Sequence, residues 1–273
     1  MVVRLPRDTS EDAIRVQHQA LRRLGLAGRA AMTFELGDSL RSISESGIRL
    51  HHPDFSETQV RAAAAQRMLG RELSQSAGAR LGRGLAMSQQ DFFAKIISAL
   101  DRANIPFMVV GSLASSFHGD PRATRDADIV IRPDEKTLEE FLRSIESKFY
   151  LSPETARQAL RNHSMFNVID AASGWKVDLI IAPPTGFGEE AFSRRISAKV
   201  MGIEVAVQSP EDTILSKLSW GKHSGSEMQY RDALGVALQQ WQNLDQEYLR
   251  RWAAELDVSE LLEKVLTEAA RLA

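Results

Sequence analysis

The chain has 273 residues, 43% of them apolar and 26% charged, with no cysteine and a formal net charge of −2. These figures describe an ordinary globular protein, exclude disulfides and thiolate metal sites, and fit a reducing, cytoplasmic setting. The longest apolar runs, at 107–110 and 179–182, are far too short for a membrane span, and residues 1–8 lack the apolar stretch of a secretion signal.

The charge is unevenly spread. Residues 1–86 hold 13 arginines, no lysine and 9 acidic residues; residues 87–273 hold 21 basic and 27 acidic ones. Such a break points to two modules. The first reads as helical, with apolar residues near helical spacing over 11–26 (Ile14, Leu21, Leu24) and 32–48 (Phe34, Leu36, Leu40, Ile43). His51-His52-Pro53-Asp54 interrupts it, and Ser56 is placed to cap a third helix over 57–73. Residues 74–86, rich in glycine and serine around Arg80 and Arg83, read as a linker.

Ser88 then offers an N-cap for a helix reaching Ala103, with Phe92, Phe93, Ile96, Ile97 and Leu100 facing inward. Short β-branched runs follow at 107–110, 128–131, 165–169, 175–181 and 204–207, with helical stretches at 113–117 and 136–148 between some of them. This is an α/β or α+β module on a mixed sheet. Four helices close the chain, over 210–220, 228–242, 245–256 and 259–272. The expected organisation is a helical N-terminal module at 1–86, a core at 87–208 and a C-terminal helical region at 209–273.

The chemistry-bearing residues lie in the core. Asp126 and Asp128 open a strand run, and residues i and i+2 of a strand share a face. Two carboxylates side by side repel unless a cation lies between them, which suits hard Mg²⁺. Asp178 interrupts the apolar run 175–181, where an inward carboxylate needs a partner. If those strands are neighbours, three carboxylates converge as two-metal phosphoryl transfer requires. Gly111-Ser112 directly follows a strand, where glycine lets a phosphate approach the backbone and the serine hydroxyl adds a hydrogen bond.

Arg122 and Arg125 flank the turn into the paired aspartates, placed either to clamp a phosphate or to neutralise Asp126 and Asp128. His118 reads as a cap of the short helix rather than an acid or base. His51-His52 has no third metal ligand in view. Trp220, Trp241 and Trp252 read as core or interface residues.

Gly-Ser, thirteen residues, Asp-x-Asp and a later lone aspartate on a strand resemble the nucleotidyltransferase superfamily with a polymerase-β-type fold. The wording His118-Gly119-x-Pro121-Arg122-x-Thr124-x-Asp126-x-Asp128, with Ser209-Pro210-Glu211-Asp212, Lys217-Leu218 and Arg231-Asp232, is most similar to the AbiEii-like toxins of toxin–antitoxin systems. The likeness covers residues 88–240 and leaves 1–86 outside it. It implies an α+β fold with a nucleotidyltransferase-type mixed sheet, flanking helices and a helical C-terminal region. By position, it implies that Asp126, Asp128 and Asp178 bind two Mg²⁺ ions, with Asp178 also helping to deprotonate the acceptor. Gly111, Ser112 and Lys217 would hold the nucleotide phosphates of ATP or another NTP. One position departs: three residues beyond Asp232 the family often has aspartate, where this chain has Gly235.

The expected function is transfer of a nucleoside monophosphate to a hydroxyl of an RNA 3′ end such as tRNA, or of a protein, within a toxin–antitoxin pair that includes a cognate partner protein. Two alternatives stand beside it: a catalytically weak nucleotidyltransferase-fold binding or antitoxin-like protein, and a small-molecule, antibiotic-type nucleotidyltransferase. No membrane partner is expected.

Overall fold

The computed structural model describes residues 11–184, 186–200 and 202–272. In chain order the elements are α1 (Glu11–His51), α2 (Glu57–Ala77), α3 (Gln89–Arg102), β1 (Phe107–Val110), α4 (Gly111–His118), β2 (Asp126–Ile131), α5 (Glu135–Ile145), α6 (Pro153–Asn162), β3 (Met165–Ile169), β4 (Lys176–Ile181), α7 (Gly186–Ser193), β5 (Ile196–Val200), β6 (Ile203–Val207), α8 (Pro210–Ser224), α9 (Glu227–Gln240), α10 (Gln246–Glu255) and α11 (Ser259–Leu272). The architecture is α+β with both parallel and antiparallel strand pairs, as the sequence indicated. Among the described residues no helix is long and apolar enough to cross a membrane.

Local chemistry sets several boundaries. The α1 stretch bends at Gly25, whose φ of 64° is open to glycine and strained for other residues. Ser56 and Gln59 form a reciprocal capping box at the start of α2. Ser88 caps α3 as expected, its hydroxyl accepting the Asp91 amide at 3.0 Å. Helix α2 runs past the expected end at residue 73, with its bend at Gly70, so residues 74–77 are helical rather than linker.

The structure divides into two compact units: one takes the described residues of Met1–Thr33, Val109–Arg122 and Gly186–Ala273, the other Phe34–Met108 and Ala123–Thr185. In the second unit β2 runs parallel to β4 and β3 antiparallel to it. Ala127, Ile129 and Ile131 of β2 are buried, while Asp126, Asp128 and Val130 alternate with them on the opposite face. Helices α3 and α5 supply Phe92, Phe93, Ile96, Ile97, Leu138, Phe141 and Leu142 to this unit's core. Residues 34–86 pack within the same unit. The Phe34 ring lies 5.3 Å from Phe93, Trp175 donates its indole N–H to the Met87 carbonyl at 3.2 Å, and Ala65 lies so near Gly174 that a Cβ there would come within 2.7 Å of it.

In the first unit Val109 of β1 pairs in parallel with Val207 of β6, and β5 pairs antiparallel with β6. Strand β5 escaped the sequence reading because its side chains are mostly exposed, so it shows no apolar alternation. Helices α8 to α11 enclose a core of Ile214, Leu215, Leu218, Val236, Leu249, Leu262 and Val265. Arg29, buried in the first stretch of α1, is held by the Phe117 carbonyl at 2.8 Å and the Leu21 carbonyl at 3.0 Å.

Candidate active site

The second unit gathers the acidic residues. Register across β2 and β4 places Asp128 opposite Asp178 and Asp126 opposite Lys176, and β3 places Asn167 opposite Asp178. Pleating then sends Asp126, Asp128, Lys176, Asp178 and Asn167 to one face. Strand β2 begins at Asp126, two residues earlier than the apolar run suggested, and this brings the first carboxylate onto the shared face.

The like charges are offset from within. Lys176 Nζ lies 2.7 Å from Asp178 Oδ2 and 3.4 Å from Asp126 Oδ2, and Asn167 Nδ2 donates to Asp178 Oδ1. Burial works to lower the Lys176 pKa, but the hydrogen bond and charge of Asp178, with Asp126 behind it, outweigh burial and hold the ammonium above its ordinary value. The Thr124 hydroxyl donates to the Asp126 carbonyl at 3.1 Å and lies 3.3 Å from its Oδ1, fixing the turn into β2. The Lys176 ammonium therefore stands as a resident cation between Asp126 and Asp178.

Among the described residues no group of three or more His, Cys, Asp or Glu side chains is arranged to cage a metal ion. Mg²⁺ at phosphate-handling sites needs no such cage; it takes one or two carboxylates and completes its shell with water and substrate phosphate. By the chemistry of their donors, the aspartates of β2 and β4 fit that ion.

The first unit gathers the basic residues. Gly111 opens α4 with φ of +63°, directly after β1. The Ser112 hydroxyl accepts from Arg122 Nη2 at 2.8 Å. Arg122 also grips Asp232 with both ends of its fork, at 2.9 Å to Oδ1 and 2.8 Å to Oδ2, and Lys217 Nζ lies 2.7 Å from the same carboxylate. Burial alone would raise the Asp232 pKa, but the Arg122 hydrogen bonds and the Lys217 charge reverse the sign and hold it below the carboxylate range. Asp232 thus positions Arg122 and Lys217. The sequence offered it in the Arg231-Asp232 pair, yet it was not taken as a site residue, because only the fold brings it beside Lys217 and Arg122.

Gly235, the departure from the family pattern, also has a physical reason. A Cβ at this position would lie 3.3 Å from Asp120 Oδ2. A carboxylate side chain there would crowd a second one.

Of the remaining candidates, Arg125 is exposed. His118 does not cap α4 through its ring; the ring is buried with Nε2 2.7 Å from the Gln208 carbonyl oxygen, and burial pulls its pKa down to about 4. His52 stacks on Phe55 at 4.4 Å. Trp220 is 71% exposed and so is not a core residue, whereas Trp241 and Trp252 pack against the C-terminal core.

No family model matches the chain, and no curated protein does. Among solved structures it is similar to an antigenic nucleotidyltransferase-like protein from Paracoccidioides brasiliensis, at 19% identity and a TM-score of 0.43 over 66% of this chain and 92% of that one. It is similar to the antibiotic-resistance factor ANT(2″)-Ia at 16% identity and a TM-score of 0.40, over 61% and 94%. A putative nucleotidyltransferase from Thermotoga maritima aligns at 19% identity and a TM-score of 0.36, over 52% and 90%.

Proposed function

We propose that this chain is a Mg²⁺-dependent nucleotidyltransferase that moves a nucleoside monophosphate from an NTP to a hydroxyl acceptor. The observation that carries the reading is the register of β2 and β4, which puts Asp128 beside Asp178 and Asp126 beside Lys176 on one face. Bound at these carboxylates, Mg²⁺ supplies charge neutralisation of the triphosphate and acidification of the acceptor hydroxyl.

The chain's own residues have separable roles in this reading. Asp126 and Asp128 would hold the cation, and Asp178 would complete its ligation and draw the proton from the acceptor hydroxyl. The acceptor oxygen forms a bond to the α-phosphorus as the bond to the bridging oxygen breaks, and pyrophosphate departs with the electron pair. The Ser112 hydroxyl, Arg122 and Lys217 offer donors to phosphate oxygens. Asp232 keeps the two cationic side chains oriented, as charge-assisted pairs do.

The family resemblance supports the finer reading, in which the acceptor is an RNA 3′ end or a protein hydroxyl and the protein is the toxin of a toxin–antitoxin pair. Incubation with α-labelled NTPs, Mg²⁺ and total RNA or protein tests both levels. Label transfer that Asp126→Asn and Asp128→Asn abolish supports the enzyme, and the labelled product identifies the acceptor. Absence of transfer with every NTP and acceptor, despite NTP binding, would replace it with a nucleotide-binding regulatory role.

A further inference from the structure

Residues 34–86 lie outside the family resemblance, and the structure gives part of them a place beside the acidic face. Within the second unit, α1 approaches the turn before β2 at Gly37. A Cβ at this glycine would meet Gln89 Oε1 and lie 3.5 Å from the Thr124 carbonyl oxygen. Gln89 in turn donates to the Thr124 carbonyl at 2.9 Å, and its backbone amide donates to Asp38 Oδ1 at 3.0 Å. Through Gln89 the start of α3 is tied both to α1 at Asp38 and to the turn before β2 at Thr124.

Beside it opens a cavity of about 220 Å³ whose walls include Arg41, Arg67, Arg125, Leu40, Ile43 and Thr124. Among the described residues lining it, none is acidic. Arg41 pairs with Glu45 at 2.8 Å and lies over the Trp175 ring at 5.9 Å, and its Nε is buried with no hydrogen-bond partner. Arg67 and Arg125 are exposed and carry no ion pair among the described residues. Arg67 and Arg125, from two segments of the chain, set a positive potential at a cavity with no acidic lining residue, while the charge of Arg41 is offset by Glu45. Guanidinium forks suit phosphate oxygens, while exposed Leu40 and Ile43 give an apolar rim for a base. Arg125 adjoins Asp126 in the chain, and Thr124 both lines the cavity and bonds Asp126.

We propose that this cavity is a phosphate subsite for the acceptor, taking the backbone of a single-stranded nucleic-acid end beside the turn that leads into Asp126. The inference rests on the nucleotidyltransferase reading and extends it. It assigns a role to the arginine-rich arm, and it gives the phosphate clamped by Arg125 to the acceptor strand. It also disfavours a polycationic small-molecule acceptor, which these arginines would repel.

The test is fluorescence anisotropy of a labelled single-stranded RNA oligonucleotide with the full chain, without NTP or metal, over a range of salt. Arg67→Ala, Arg125→Ala and the double variant change exposed side chains, and a thermal melt of each checks folding. The double variant is expected to bind about tenfold more weakly at low salt, with the slope of log K against log salt shallower by about 1.4, two phosphate contacts on a single strand. The double lysine variant is expected to keep most of that slope. Equal affinity and slope in wild type and the double alanine variant, or no RNA binding by wild type, overturns the proposal. Pyrophosphate binding that the double variant loses, with RNA affinity and salt slope equal in both proteins, would assign the cavity to free phosphate and likewise overturn the acceptor assignment. NTP binding measured on the same samples separates this failure from failure of the nucleotidyltransferase reading.

Discussion

Lys176 and Asp178 are two residues apart on β4 and share a face, and the Lys176 ammonium lies 2.7 Å from Asp178 Oδ2 while reaching Asp126 Oδ2 at 3.4 Å. A lysine ammonium is a compact charge on a flexible stem, so it can occupy a cation's place and withdraw from it. Any divalent ion binding these oxygens must displace it. Removing the competitor in Lys176→Met is therefore expected to tighten Mn²⁺ affinity about tenfold, ~1.4 kcal/mol, while Lys176→Arg leaves it near wild type. Titration of Mn²⁺ followed by electron paramagnetic resonance reads both. Weaker Mn²⁺ binding in Lys176→Met would show that the lysine holds the carboxylates in place instead of competing for them.

Asp232 sits buried between Arg122 and Lys217, and its loss leaves two cations without their shared counter-charge. Asp232→Ala is expected to destabilise the fold by about 3 kcal/mol, read as a lowered denaturation midpoint. The native pKa of Asp232 lies below its unfolded value, so its stabilisation is present above the unfolded value and fades as pH falls through the native one. Asp232→Asn should accordingly flatten the acid limb of the stability profile. An unchanged acid limb would contradict this assignment.

His118 gives a pH dependence in a different window. Buried and neutral, it resists protonation until about 4, whereas the unfolded chain takes up the proton near 6.5. Between those values the unfolded state binds more protons, so stability falls as pH drops from about 6.5 to about 4, by up to ~3 kcal/mol. His118→Gln should remove that slope. Urea midpoints at pH 7, 6, 5 and 4 check it, and parallel curves for both proteins would refute it.

Gly119 packs α4 against α9. A Cβ there would lie 2.7 Å from the Val236 nitrogen and 2.9 Å from both the Gly235 carbonyl carbon and the Ser115 oxygen, all backbone atoms that cannot turn aside. Gly119→Ala is expected to destabilise by about 2 kcal/mol, and a melting temperature within a degree of wild type would count against this packing.

How far the sequence revealed this arrangement depends on the type of signal. The spacing of Asp126 and Asp128 was legible because strand alternation is periodic and β2 obeys it, and Asp178 was legible as a polar residue inside an apolar run, buried with its neighbours in β4. Lys176 was not singled out, since a lysine at a strand end reads as solvated until the register puts it opposite Asp126. Asp232 escaped for a related reason: 110 positions separate it from Arg122, and nothing local marks their pairing. The exposure of Trp220 was not legible, because a helical position alone does not say which face is covered. Helix α6 and strand β5 were missed because their polar surfaces mask the apolar periodicity.

The central claim is that Asp126, Asp128 and Asp178 act as one cation-binding face. Calorimetric titration of Mn²⁺ into wild type and into Asp126→Asn, Asp128→Asn and Asp178→Asn, each with a non-hydrolysable NTP, tests it most directly. Each substitution is predicted to weaken Mn²⁺ binding at least tenfold; wild-type affinity in Asp178→Asn would contradict the account.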